Sequence, residues 1–130
     1  MGKLHQEQMN DFPRAETYYL KALAGNPDDL NVCMAYIHLL IIIKEYDKAQ
    51  KLISYASGLK GVDLSKTYSF QALIHESKRD YEQALVLFKK ARFEAYNEDG
   101  MAHINNEIKR VKMKRKYAEK ANAKKEEKKA

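Results

Sequence analysis

Three stretches of this chain superimpose on one another. Asp11-Phe12, Glu45-Tyr46 and Asp80-Tyr81 align, and three residues after each aromatic stands an alanine: Ala15, Ala49 and Ala84. Four residues farther come Tyr19, Ile53 and Phe88, and three beyond those Ala22, Ala56 and Ala91. The period is 34 residues and then 35. A unit of this length cannot bury its apolar surface alone, so the pattern predicts an array of stacked helical units rather than one globular core.

Each unit is expected to hold two helices and a turn. In the second unit the spacing predicts one helix over Leu30 to Lys44 and another over Tyr46 to Leu59, with Asp28 or Asp29 as the N-cap. Asp63 or Ser65 is placed to cap the first helix of the next unit, and Asp80 the helix that starts at Tyr81. Pro27 closes the first unit because a proline cannot continue a helix, and Gly61, one period later, is expected to stop a helix by the left-handed route. The repeated alanines suit close helix crossings, since a methyl lets two backbones approach to the short end of the usual range. Phe12, Tyr46 and Tyr81 would fill the space between adjacent units.

After Tyr96-Asn97 a last helix is expected, with Met101, Ile104, Ile108 and Val111 on one stripe that would cover the end of the third unit. Residues 114–130 offer charges and alanines but little to bury, which predicts a frayed helix or a disordered tail. The charge is divided accordingly. Residues 1–106 hold 13 Lys and Arg against 14 Asp and Glu, whereas residues 107–130 hold 11 against 4, so the formal charge of +6 belongs to the tail. Such a tail serves solubility or contacts nucleic acid or an anionic surface.

The length of 130 residues suits one folded unit, 45% of it hydrophobic. The longest apolar run, Met34 to Ile43 interrupted by His38, is shorter than the roughly 20 residues of a membrane span. Met1 to Gln8 lacks the apolar stretch of a signal peptide, which points to a cytoplasmic protein. Cys33 is the sole cysteine and reads as a small buried hydrophobe. No histidine pair has the spacing of a zinc site, and no phosphate loop or nucleophile elbow is present, so neither an enzyme nor a cofactor is expected. His75 reads as a packing residue, and His5 and His103 as incidental.

The positions Phe12, Ala15, Tyr19, Ala22 and Pro27, then Tyr46, Ala49, Ile53 and Ala56, then Tyr81, Ala84, Phe88 and Ala91 resemble the tetratricopeptide repeat. Tyr68 and Ala72 match its aromatic and small positions on the third unit's first helix. The first unit lacks most of its first helix, with Gly2 at the small position, so the chain is expected to be a piece of a longer array or to begin with a degenerate cap. The resemblance implies an all-α, right-handed α-α superhelix, a solenoid of about three such units over residues 1–96. A capping helix over 97–113 and the basic tail over 114–130 would complete it.

In that family the first helices line a concave surface that binds an extended or helical segment of a partner. Carried over, the partner-binding residues are Asn31, Met34, Ala35, His38, Ile41 and Ile42 from the second unit. The third unit would add Lys66, Ser69, Phe70, Leu73, Glu76 and Ser77. Only Lys66 and Asn31 suit a carboxylate, which argues against a clamp for a chain terminus. The run Leu39 to Ile43 covers more than one helix face, so at least two of its side chains must point away from their own unit. The implied function is non-catalytic: an adaptor, assembly scaffold or chaperone that holds apolar side chains of a partner, as a monomer or homodimer. The alternative is nucleic-acid or ribonucleoprotein association through the tail.

Overall fold

Turn chemistry divides the described residues into six helices. The computed structural model describes residues 2–129, with side chains over 11–128, and every element among them is helical: α1 Gly2–Gly25, α2 Leu30–Ile42, α3 Tyr46–Ser57, α4 Leu64–Ser77, α5 Tyr81–Phe93 and α6 Glu98–Lys129. The chain falls into two compact units, Met1–Asp63 and Leu64–Ala130. That boundary lies inside the segment read from sequence as one repeat array. No helix among the described residues is long and apolar enough to cross a membrane.

In the first unit, α1 packs on α2 and α2 on α3. The α1–α2 turn runs through Pro27, and the Asp29 carboxylate caps α2 by accepting from the Asn31 and Val32 amides at 3.1 and 3.3 Å. This satisfies two donors that the helix start would otherwise leave unpaired. Two side-chain bonds tie the unit together. The Tyr36 hydroxyl donates to Glu16 at 3.1 Å, joining α2 to α1, and the Tyr55 hydroxyl donates to Asp28, joining α3 to the turn before α2. Burial, and after it the bond to Glu16, pushes the Tyr36 hydroxyl up to about 12. Cys33, Ile37, Ala49, Ile53 and Ala56 have no exposed surface.

In the second unit, α4 packs on α5 and α5 on α6. Asp80 caps α5, accepting from the Gln83 amide at 3.3 Å. Ala72, Ala84, Leu85, Leu87, Phe88 and Ala91 form one core with Ile104, Ile108 and Val111 of α6. Tyr81 lies half-buried against this cluster, and Met101, the first member of the α6 stripe, is exposed. Ser65 is no cap: its hydroxyl donates to the Ala91 carbonyl at 2.9 Å and fastens α4 to the end of α5.

The two turns Ile43–Glu45 and Lys78–Asp80 are built alike. Lys44 and Arg79 take left-handed backbone, φ 64° and 63°. Next to them the Glu45 amide donates to the Leu40 carbonyl at 2.8 Å, and the Asp80 amide to His75 at 2.9 Å. This is the six-to-one closure of a Schellman motif, which glycine usually serves. It ends α2 at Ile42, two residues before the boundary expected from periodicity. Helix α3 likewise stops at Ser57, with Gly58 at its end in ordinary right-handed backbone. Gly61 therefore does not end a helix; it takes φ 83° in the link that follows.

The first unit departs most from expectation. Asp11-Phe12 aligns with two helix starts, yet α1 runs unbroken from Gly2 to Gly25 with Pro13 inside it. The Thr17 hydroxyl donates to the Pro13 carbonyl at 2.9 Å, within the turn that follows the proline. Ala15 and Ala22 are only half-buried, whereas their counterparts Ala49, Ala56, Ala84 and Ala91 are fully enclosed. Helix α6 is likewise continuous through the lysine-rich segment to Lys129, with no break after Met113.

Two substitutions check this account. Ala49→Leu overpacks a fully enclosed site and is expected to lower unfolding stability by about 1–3 kcal/mol. Arg79→Gly relieves the left-handed residue and is expected to raise it by about 0.5–1 kcal/mol. Chemical denaturation of both variants measures the two signs; an unchanged midpoint for Ala49→Leu contradicts the packing described.

Candidate functional site

The apolar run of α2 cannot be buried on one side. Cys33, Tyr36, Ile37 and Leu40 point into the first unit's core, and Leu39 is 6% exposed. At 3.6 residues per turn, Asn31, Met34, Ala35, His38, Ile41 and Ile42 share the remaining arc of about 120°. Ile42 is 48% exposed, Met34, Ala35 and Ile41 are half-buried, and Asn31 and His38 are exposed. The result is a mainly apolar face with Asn31 at its start and the exposed His38 in its middle, on a helix packed against α1 and α3.

On α4, Lys66, Ser69, Phe70, Leu73 and Ser77 share an arc of about 100°. Lys66 and Ser77 are exposed, and Ser69, Phe70 and Leu73 half-buried, with Leu73 leaning on the second unit's core. Glu76 stands at the edge of this arc but is turned to α6. Its side chain is 6% exposed. The Arg110 guanidinium forks onto it, Nη2 to Oε1 at 2.6 Å and Nε to Oε2 at 3.2 Å, and Lys114 Nζ donates to Oε2 at 2.6 Å. Glu107 holds the other edge of Arg110 at 2.6 Å. Glu76 is therefore committed inside its own unit and presents no carboxylate to a partner.

The titration of this cluster follows from its geometry. Burial alone raises the Glu76 carboxyl, but the hydrogen bonds from Arg110 and Lys114 outweigh it and hold the group below the ordinary carboxylate range. The same bonds, Glu76 first and Glu107 second, raise Arg110. Sequence reasoning set Glu76 on the partner surface by carrying over the layout of the tetratricopeptide repeat. The signal it passed over is Arg110, which stands beside the Ile104, Ile108 and Val111 stripe where a cation needs a buried partner.

The remaining reactive groups are accounted for structurally. Cys33 is fully buried and its thiol is raised, by burial first and then by Asp29 and Asp28, so its nucleophilic thiolate is disfavoured. His75 lies half-exposed at the end of α4 with Nδ1 3.3 Å from Asp80, so it braces the turn that follows rather than packing in the interior. His103 is exposed, and His5 lies outside the described side chains. Among the described residues no group of three or more His, Cys, Asp or Glu is placed to hold a metal. An open cleft in the second unit, walled by Arg79 to Glu82 and by Arg115, Ala118 and Glu119, is crossed by the Arg115–Glu82 pair at 2.8 Å and has mixed charge. Compared with family models, curated proteins and solved structures, the chain matches none.

The Glu76 cluster yields a prediction with a defined sign. A carboxyl depressed in the folded state contributes stability above its unfolded pKa and loses it as pH falls through the folded value. Glu76→Gln is expected to cost about 2–4 kcal/mol at neutral pH. The cost shrinks as the parent protein is acidified below pH 4.5, the ordinary value for the group. Urea denaturation of both proteins across that range measures it; a constant difference contradicts the assignment.

Proposed function

We propose that this protein is a non-catalytic binding module that holds an extended or helical segment of another protein through apolar side chains. The reading is supported above all by the outward face of α2, where Met34, Ala35, Ile41 and Ile42 form one strip with Ile42 48% exposed. A helix gains nothing from leaving branched aliphatics in water, and a strip of this kind suits a partner that brings its own. Phe70 and Leu73 give α4 a face of similar character.

The two faces take apolar ligands for a further reason. Lys66 is the one cation within α4's face, and the α6 cations that reach α4, Arg110 and Lys114, are spent on Glu76. A ligand carboxylate would have to compete with a buried one for them, so affinity comes from apolar burial and from backbone bonds to polar groups at the rims, such as Asn31 and Ser69. In this reading the helix pairs α2–α3 and α4–α5 are tetratricopeptide-like units of a right-handed superhelix. The protein then works as an adaptor, assembly scaffold or chaperone.

Selection of ligands from a displayed peptide library, followed by titration against the parent protein and Ile42→Glu, tests this. Peptides rich in Leu, Ile, Phe or Met are expected, with affinity changing little between about 50 and about 200 mM salt, unlike a phosphate contact. Ile42→Glu is expected to lose at least about tenfold in affinity, equivalent to about 1.4 kcal/mol, while its circular dichroism stays helical. Equal binding by the variant overturns the α2 assignment.

A further inference from the structure

Two sets of basic side chains on α6 have different surroundings. Arg110, Lys114 and Arg115 face the second unit and are each paired, with Glu76, Glu107 and Glu82 at 2.6 to 2.8 Å. Lys109, Lys112, Lys116, Lys120 and Lys124 stand on another side of the helix. Their spacings of three, four, four and four residues place them on one arc of about 120°, over about 22 Å of helix. All five are exposed, and none lies in an ion pair among the described residues.

A helix charged merely for solubility interleaves signs, with Glu one turn from Lys. Here no acid stands between Ile108 and Ala118. Glu119 falls at the edge of the lysine arc, one turn from Lys116, Glu126 falls beside it, and Glu98 and Glu127 lie on its line beyond its two ends. The row is therefore a line of positive charge one helical turn apart, with no acid on its arc between Lys109 and Lys124, on an element whose opposite side is anchored by Ile104, Ile108 and Val111.

We propose that this row of α6 binds the phosphate backbone of B-form DNA without regard to sequence. The chemistry separates this partner from other polyanions. An anionic bilayer holds a helix firmly when large apolar side chains insert beside the lysines, and this face offers only Met113, with Tyr117 at its edge. A single strand requires a series of rings on which bases stack, and Tyr117 is the one ring in the segment 109–129 that carries the lysine row. An RNA duplex closes its major groove to a helix, whereas that of B-DNA, about 12 Å wide, admits one. Lysines in place of Arg, Asn or Gln supply point charges for phosphates rather than forked donors for base edges, so no sequence preference arises. This surface is independent of the α2 and α4 faces.

Fluorescence anisotropy of the full chain with a mixed-sequence DNA duplex tests the inference. Five phosphate contacts predict a slope of log K against log salt of about −4.5. The triple variant Lys112→Gln, Lys116→Gln, Lys120→Gln is expected to reduce the slope to about −1.8 and to weaken binding more than a hundredfold near 0.1 M salt. A control with the same change in net charge, Lys48→Gln, Lys51→Gln, Lys89→Gln, is expected to keep the parent slope. Circular dichroism of both variants should be unchanged, since all six lysines are exposed. Absence of binding at low salt, or an equal loss in both triple variants, overturns the proposal. Stripe-dependent binding to phosphatidylserine-containing vesicles without binding to the duplex also overturns it.

Discussion

Methyl groups at helix crossings are the constraint on which the rest of this structure depends. Ala49, Ala56, Ala72, Ala84 and Ala91 have no exposed surface. A larger side chain at any of them would force two backbones apart and uncover the big residues packed beside them, Ile53 in one unit and Phe88 in the other. The alternation of small and large along α3 and α5 is thus one physical device used twice. Helix α1 shows the same letters without the same enclosure. It has α2 as its packing neighbour, so Ala15 and Ala22 remain half-buried.

Much of this organisation was legible because it is local. The N-caps Asp29 and Asp80, the starts of α2, α3 and α5, and the α6 stripe each follow from residues within a turn or two of one another. The exposed side of α2 was legible too, since five consecutive apolar residues exceed what one face can bury, and Ile42 is the side chain left most exposed among them. The left-handed backbone at Lys44 and Arg79 was not, because neither residue type favours it; the six-to-one closure of the turn imposes it. Nor was the continuity of α1 through Asp11-Phe12, where similarity to two helix starts outweighed helix-forming neighbours on both sides. The engagement of Glu76 inside its own unit was not legible either, for a tertiary reason. Its fate is decided by Arg110 and Lys114, more than thirty residues away and invisible to helical periodicity.

Charge in the second unit is organised by side. The cations of α6 that face α4 and α5 are paired with carboxylates, Arg110 and Lys114 sharing Glu76 and Arg115 taking Glu82, while the lysine row on the other side is paired with none. The first arrangement fixes the rotation of α6 about its own axis, because a turn of the helix would bury lysines and expose Val111. The second follows from that rotation rather than from composition. The Glu76 fork therefore sets which lysines reach solvent, and a residue that touches no ligand decides what the surface offers.

Helix α6 is one element by backbone geometry and two by anchorage. From Glu98 to Val111 its amides are backed by a packed core; beyond Ala118, the last half-buried of the described residues, they rest mainly on backbone bonds and side-chain propensity. Opening the distal turns exposes almost no apolar surface, so it proceeds without global unfolding and in increasing measure toward Lys129. Amide hydrogens along this single helix will accordingly exchange with solvent over a graded range of rates. The same gradient makes the lysines of its last turns the first places a trypsin-like protease can cut, leaving the helices of both units intact.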